Sequence, residues 1–329
     1  MNKKWTLLGG LLASIVMAGS AGVASAADWK PTKPIEIIAP AGPGGGWDLL
    51  ARTVQKALTE EKLVDQPVLV TNKPGGGGAA GWNYLKGKAG QGEFLAANSP
   101  LILQNNILGK SDLTFKDFYM LANLMAEWEV IAVKADAPWK NGKEFFEAMK
   151  KDSANMHVGV GPALGNDDHI QMLMLAKAYG VDPKSVKFVV YPKTASEQIP
   201  ALLGGHIKAI TISLGETLEQ VKAGKIRIIG VSSEKRVEAI KDVPTWKEQG
   251  VDFVFPHWRG IQAAPGLSAE QKKFWDDTIA KMVQTPTWKK ALENLDWDSY
   301  YQNAADYDKF LAKQDEEMRT SLKAVGLVK

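Results

Sequence analysis

Ile35-Glu36-Ile37-Ile38-Ala39-Pro40-Ala41-Gly42-Pro43-Gly44-Gly45-Gly46-Trp47-Asp48-Leu49-Leu50-Ala51-Arg52 reads as a strand, a glycine-rich turn and the opening of a helix. The first five residues are apolar apart from Glu36, three of them β-branched isoleucines, in the manner of a strand covered by helices. Apolar residues then recur at helical spacing over 49–59. Glycines between the two elements permit positive φ and close backbone approach, and the amides at a helix start favour an anion. One such unit predicts an α/β protein, and the rest of the chain repeats it.

A second strand is expected at 67–71, followed by the turn Asn72-Lys73-Pro74-Gly75-Gly76-Gly77-Gly78, a helix over 79–86 and a strand at 93–97. A further series begins at 129–133 and alternates helices (143–150, 168–179, 196–203, 218–222) with strands (156–160, 186–191, 207–213, 226–232). A return segment over 254–263 leads into helical sequence that Ser268 can cap. Short apolar runs alternating with amphipathic ones imply mostly parallel sheets flanked by helices. Two such series, joined by crossovers near Trp128 and Phe255, predict two lobes with a ligand cleft between them. Lobe 1 is expected to comprise 27–128 and 253–329, and lobe 2 129–252.

The chain is 329 residues long, 45% hydrophobic, with 11 Trp and 10 Phe, enough to build sizeable cores. Residues 1–26 have the charged start, short apolar run and Ala24-Ser25-Ala26 site of a cleaved signal peptide. Cysteine is absent, which excludes disulfides, thiol nucleophiles, Cys-based metal sites and a lipid-anchored cysteine. An exported protein without an anchor is expected in the periplasm. The formal charge of +3 includes Lys3 and Lys4, so the remainder is nearly neutral, and no basic cluster suits nucleic acid.

The first glycine loop lacks the Lys-Ser/Thr ending of a phosphate-binding loop and the third glycine of a dinucleotide fingerprint. Its Gly44, Gly45, Gly46, Trp47 and Asp48 are candidate carboxylate binders. Gly76 and Gly77 of the second loop would lie on the same sheet edge, where Asn98 and Ser99 could add donors. In the other lobe Gly161-Pro162-Ala163-Leu164-Gly165-Asn166-Asp167-Asp168-His169 repeats the device. Gly161, Ala163, Gly165, Asn166 and His169 are the candidates there, and Asn166 or Asp167 can cap the following helix. Asp167, Asp168 and His169 are too close in sequence to point at one metal, and the other histidines are scattered. No G-x-S-x-G elbow is present, so the four histidines read as structural or hydrogen-bonding groups. The residual enzyme reading would set Asp48 and His169 as acid and base across the cleft.

Several segments together resemble the substrate-binding receptors of tripartite tricarboxylate transporters, the Bug receptors. They are PAGPGGGWDLLAR (40–52), NKPGGGGAAG (72–81), GPALGNDDH (161–169), ALLGGHI (201–207), AGKIRIIGVSS (223–233), DVPTWKEQG (242–250) and WRGIQAAPG (258–266). The resemblance implies a type II periplasmic binding fold, no cofactor, and a monomeric receptor. It implies capture of a small di- or tricarboxylate such as citrate by the loops at 44–48 and 161–166, and delivery to a membrane permease. The chain departs from the pattern where Asn166 replaces a common Ser and Lys208 a common acid, which bears on substrate identity. A sensory receptor that presents the bound acid to a membrane kinase would look the same in sequence.

Overall fold

The computed structural model describes residues 29–161, 164–192 and 195–328; the expected signal peptide and Ala163 lie outside them. The quoted stretch forms β1 (Ile35–Ala39) and α1 (Gly46–Glu60), and the unit recurs as β2 (Val68–Asn72), α2 (Ala79–Lys86), β3 (Phe94–Asn98) and α3 (Leu101–Ile107). Next comes β4 (Tyr119–Lys134), a long strand. The second series is α4 (Gly142–Lys151), β5 (His157–Val160), α5 (Asp167–Ala178), β6 (Lys187–Val190), α6 (Ala195–Leu203), β7 (Ala209–Ser213), α7 (Leu218–Lys222) and β8 (Ile226–Val231). The chain closes with β9 (Pro256–Ala263), α8 (Ala269–Met282), α9 (Pro286–Asn294), β10 (Asp298–Gln302) and α10 (Ala304–Ala324). Asn141, Asn166, Ser268, Thr285 and Asn303 cap their helices through side-chain oxygens, satisfying amides that have no partner in the first turn.

The order β2-β1-β3-β9-β4-β7-β5-β6 runs through both halves, with β8 and β10 also on β4. Strands β1, β2 and β3 pair in parallel, as do β5, β6 and β7. The sheets are nevertheless mixed rather than mostly parallel, because β4 and β9 run antiparallel to their neighbours. Alternating β and α segments give parallel pairs by right-handed crossover. A strand that carries the chain from one half to the other is under no such constraint, and periodicity does not reveal its direction.

Strand β4 changes partners midway. Up to Trp128 it pairs with β9, and from Glu129 onward with β7 and β8. Side chains alternate across a strand, so Trp128, Val130 and Ala132 enter one core cluster while Ile131 and Val133 enter the other. Trp246, fully buried, fills the space over Gly142 and Gly230, whose missing side chains admit its ring. The result is two α/β halves joined through β4 and β9, with the amino ends of α1 and α5 at the junction.

Candidate functional site

The first glycine loop is held from beneath by Asp48, a buried residue of the first turn of α1. Its carboxylate accepts from the Gly44 amide (2.9 Å), Arg52 Nε (2.9 Å) and Asn72 Nδ2 (2.8 Å), and Asn72 also donates to the Ala41 carbonyl (3.0 Å). Burial pushes the Asp48 carboxyl upward, but Arg52, the Gly44 amide and Asn72 outweigh it and hold the group below its usual range. The second lobe repeats the device: Gly161 donates to Asp168 Oδ2 (3.1 Å), and Gly165 to His169 Nδ1 (3.0 Å). Each loop is thus locked to its helix by a side chain from the first turn.

This locking decides which amides remain for a ligand. Those of Gly44, Gly161 and Gly165 are engaged, and that of Gly45 donates to the Gly42 carbonyl (3.2 Å). Among the described residues the amides of Gly46, Trp47 and Asp48 have no partner, nor have those of Gly76, Gly77, Asp167 and Asp168. The available donors are therefore helix amino ends and the second glycine turn, where Asn105 Nδ2 donates to the Gly77 carbonyl (2.9 Å) and Gly77 sits at φ +61.

Between these ends lies a cavity of about 970 Å³. Of the sequence candidates, Gly44, Gly45, Gly46, Gly76, Gly77, Gly161, Gly165 and Asn166 line it. Trp47 does not, and packs edge-on against Trp82. Asp48 acts from behind the loop. Asn98 is fully buried against Gln262 and the Tyr307 hydroxyl, and Ser99 is buried at the start of α3. His169 packs on Phe188, with burial, aided by Lys110, lowering its pKa to about 4. Neither member of the postulated Asp48–His169 pair lines the cavity. Lys208 is exposed and outside it. A smaller hollow of about 390 Å³ beside Trp29 and Phe274 touches none of the glycine loops.

Sequence reasoning missed the charged floor. Glu127 and Glu129 on β4, and His257 and Arg259 on β9, line the cavity together with Lys110, Asp167, Asp168, Glu216 and Asp296. Arg259 pairs with Glu127 (2.5 Å), which also accepts from Trp297 Nε1 (2.6 Å). Burial raises the Glu127 carboxyl, yet Arg259, His257 and Trp297 more than reverse this and hold it low. His257 pairs with Asp167 (2.5 Å); burial disfavours its charge, but Asp167 and Glu129 win against that and against Arg259, so its pKa is raised. Charges two apart in an otherwise apolar strand fall on one face, and that spacing was the signal available in Glu127/Glu129 and His257/Arg259.

Gly46 connects the floor to the first loop. A Cβ there would lie 2.6 Å from Arg259 Cζ, so only glycine lets the guanidinium reach the amino end of α1. Helix α3, also absent from the sequence reading, forms a wall: Gln104 donates to Asp167, and Lys110 Nζ to the Leu164 carbonyl (3.1 Å), tying the two halves across the cavity.

Unpartnered amides at two helix starts, with a guanidinium set against one of them, turn positive ends toward the cavity between the two halves. A sequence profile described as tripartite tricarboxylate transporter family receptor matches residues 50–327. The chain belongs to that family. A Cupriavidus necator relative, the UPF0065 protein in the gbd 5' region, is 28% identical to this receptor over 304 residues, covering 92% of this chain and 90% of the relative. The crystal structure of a TctC solute-binding protein from Polaromonas is 30% identical, with TM-score 0.75 over 89% of this chain and 99% of that one. Two Rhodopseudomonas palustris structures share the fold: one with adipate (20% identity, TM-score 0.77, 90% and 98% covered) and MatC with bound malate (18%, 0.73, 89% and 99%). The receptor therefore has the two-lobe periplasmic binding fold. Among its described residues no helix is long and apolar enough to cross a membrane, and no group of His, Asp or Glu could hold a metal ion.

Proposed function

We propose that this receptor captures a small organic acid in the cavity between its lobes, 27–128 with 253–329 and 129–252, and hands it to the permease of a tripartite transporter in the membrane. The observation that carries the reading is the meeting, in the cavity wall, of Arg259 with Gly46, whose amide is the first of three without a partner at the start of α1. A ligand carboxylate there gains a cation and several N–H donors, which a buried anion requires. Malate and adipate in the two Rhodopseudomonas palustris structures are small acids, and a cavity of about 970 Å³ accommodates molecules of that size. Export with cleavage after Ala26 would place the protein in the periplasm as a monomer, acting without cofactor or catalysis. The citrate-like assignment is the narrower form of this reading.

Titration calorimetry with citrate, tricarballylate, malate, succinate, adipate and monocarboxylates tests it. Binding of at least one acid, weakened tenfold or more by Arg259→Ala, is expected. If no carboxylate bound at millimolar concentration, capture of an acid would be refuted. A thermal-shift series offers the same test, since ligand at 100 times Kd stabilises by about 2.7 kcal/mol.

A further inference from the structure

Arg259 and Lys110 are the permanent cations of the cavity, against six acidic side chains among its lining. Glu127 is paired with Arg259 and Asp167 with His257. Glu129 is different. It is 1% exposed, its Oε1 accepts from the Ser213 hydroxyl (2.9 Å), and its Oε2 lies buried with no donor. The nearest cationic group, His257 Nδ1, is 3.7 Å from Oε1 and engaged by Asp167. Asp168, from the start of α5, stands within hydrogen-bonding reach of Glu129 and brings a second carboxyl instead of a cation. An unprotonated pair of carboxylates so deeply buried is strongly unfavourable.

We propose that Glu129 and Asp168 form the receptor's subsite for a cationic nitrogen, so that the ligand is an aminocarboxylate whose carboxylate lies at Arg259 and whose ammonium lies between these two acids. The assignment rests on the carboxylate-capture reading above and names the substrate class of that same site. An ammonium supplies the donor that Glu129 Oε2 lacks and neutralises the pair, whereas a second carboxylate would be set against it. A metal ion is a poor occupant, since no ligand cluster able to hold one is present among the described residues. Alternate residues of a strand are about 6.6 Å apart. Arg259 grips Glu127 and the pair begins at Glu129, so the nitrogen is placed several bonds from the carboxylate.

A proton balances the empty site. Burial, Asp168 and Asp167 push the Glu129 carboxyl well above its ordinary range against His257 and Ser213; burial and Glu216 carry Asp168 to about 8 despite the Gly161 amide. Near neutral pH the empty pair holds a proton that the ligand's ammonium displaces into solvent.

The test compares 4-aminobutyrate with butyrate and succinate, and 5-aminopentanoate with pentanoate and glutarate, by calorimetry at pH 7 in phosphate and in Tris. An aminocarboxylate should bind at least tenfold tighter than both partners of its own length and release close to one proton per molecule bound. Glu129→Gln should keep the wild-type far-ultraviolet circular dichroism and cooperative melting, showing an intact fold, while the amine preference drops below about threefold. A preference under tenfold at both lengths, no proton release, or an unchanged preference in E129Q would overturn the assignment. Tight binding of the dicarboxylates alone would remove only the ammonium subsite. Failure of all six acids to bind would remove carboxylate capture with it.

Discussion

Raising the pH from 7 to 8.5 is expected to destabilise the empty receptor. Asp168 has a folded-state pKa of about 8 against an ordinary value of 3.8, chiefly through burial. In this window the unfolded chain has already lost that proton while the folded chain still holds it, so the folded state binds more protons and stability falls as pH rises. Each pH unit removes about 1.4 kcal/mol per proton. Because Asp168 is itself half titrated near pH 8, integrating from 7 to 8.5 gives about 1.2 kcal/mol. His257, whose pKa is raised, acts in the same direction: its contribution is complete below the ordinary imidazole value and is lost as pH climbs through the folded one. Asp48 and Glu127 are shifted down, so their contributions are complete across this window and are lost only in acid. His169, held near pKa 4, is largely neutral in both states above pH 7. Urea unfolding monitored by tryptophan fluorescence reads the effect; at an m-value of about 3 kcal/mol/M the midpoint should fall by about 0.4 M. In Asp168→Asn the Gly161 contact can persist, the charge pair is gone, and most of the fall should vanish. A wild-type midpoint that is flat or rising over this range, or a D168N variant with the wild-type slope, would refute the reasoning.

Gly46→Ala should displace the Arg259 guanidinium from the start of α1 and weaken ligand binding at least tenfold by calorimetry, with the melting temperature little changed, because Arg259 can swing toward the cavity. Asp48→Ala removes the acceptor shared by Gly44, Arg52 and Asn72; a loss of about 2 kcal/mol in urea unfolding at pH 7 is expected, with the difference from wild type shrinking as pH falls through the lowered Asp48 pKa. Gly230→Ala places a methyl 2.6 Å from Trp246 Cζ3 in a filled core, which should cost about 1–3 kcal/mol and be visible as a lower thermal midpoint with ligand affinity unchanged.

The units strand, glycine turn and helix were legible in the sequence because each is local. Apolar spacing set the helix over Ala79–Lys86, a capping side chain at Asn166 marked the start of α5, and glycine runs marked where backbone must turn and expose amides. The glycine segments at 44–46, 76–77, 161 and 165–166 do come together around one cavity. What the sequence could not disclose lies in contacts between distant residues. Arg259 meets Glu127 across 132 positions, and the Asn98 side chain, which looks free in sequence, donates to Gln262 across 164. Asp48 reads as a ligand donor yet serves as the anchor of its own loop, because only the folded chain brings Asn72 beside it. The antiparallel course of β4 and β9, the wall made by α3 and the burial that alters the acidity of Glu129 and Asp168 are likewise tertiary outcomes. Local backbone preference and side-chain period act within a few residues, whereas strand direction, desolvation and charge pairing depend on which segments the folded chain places side by side.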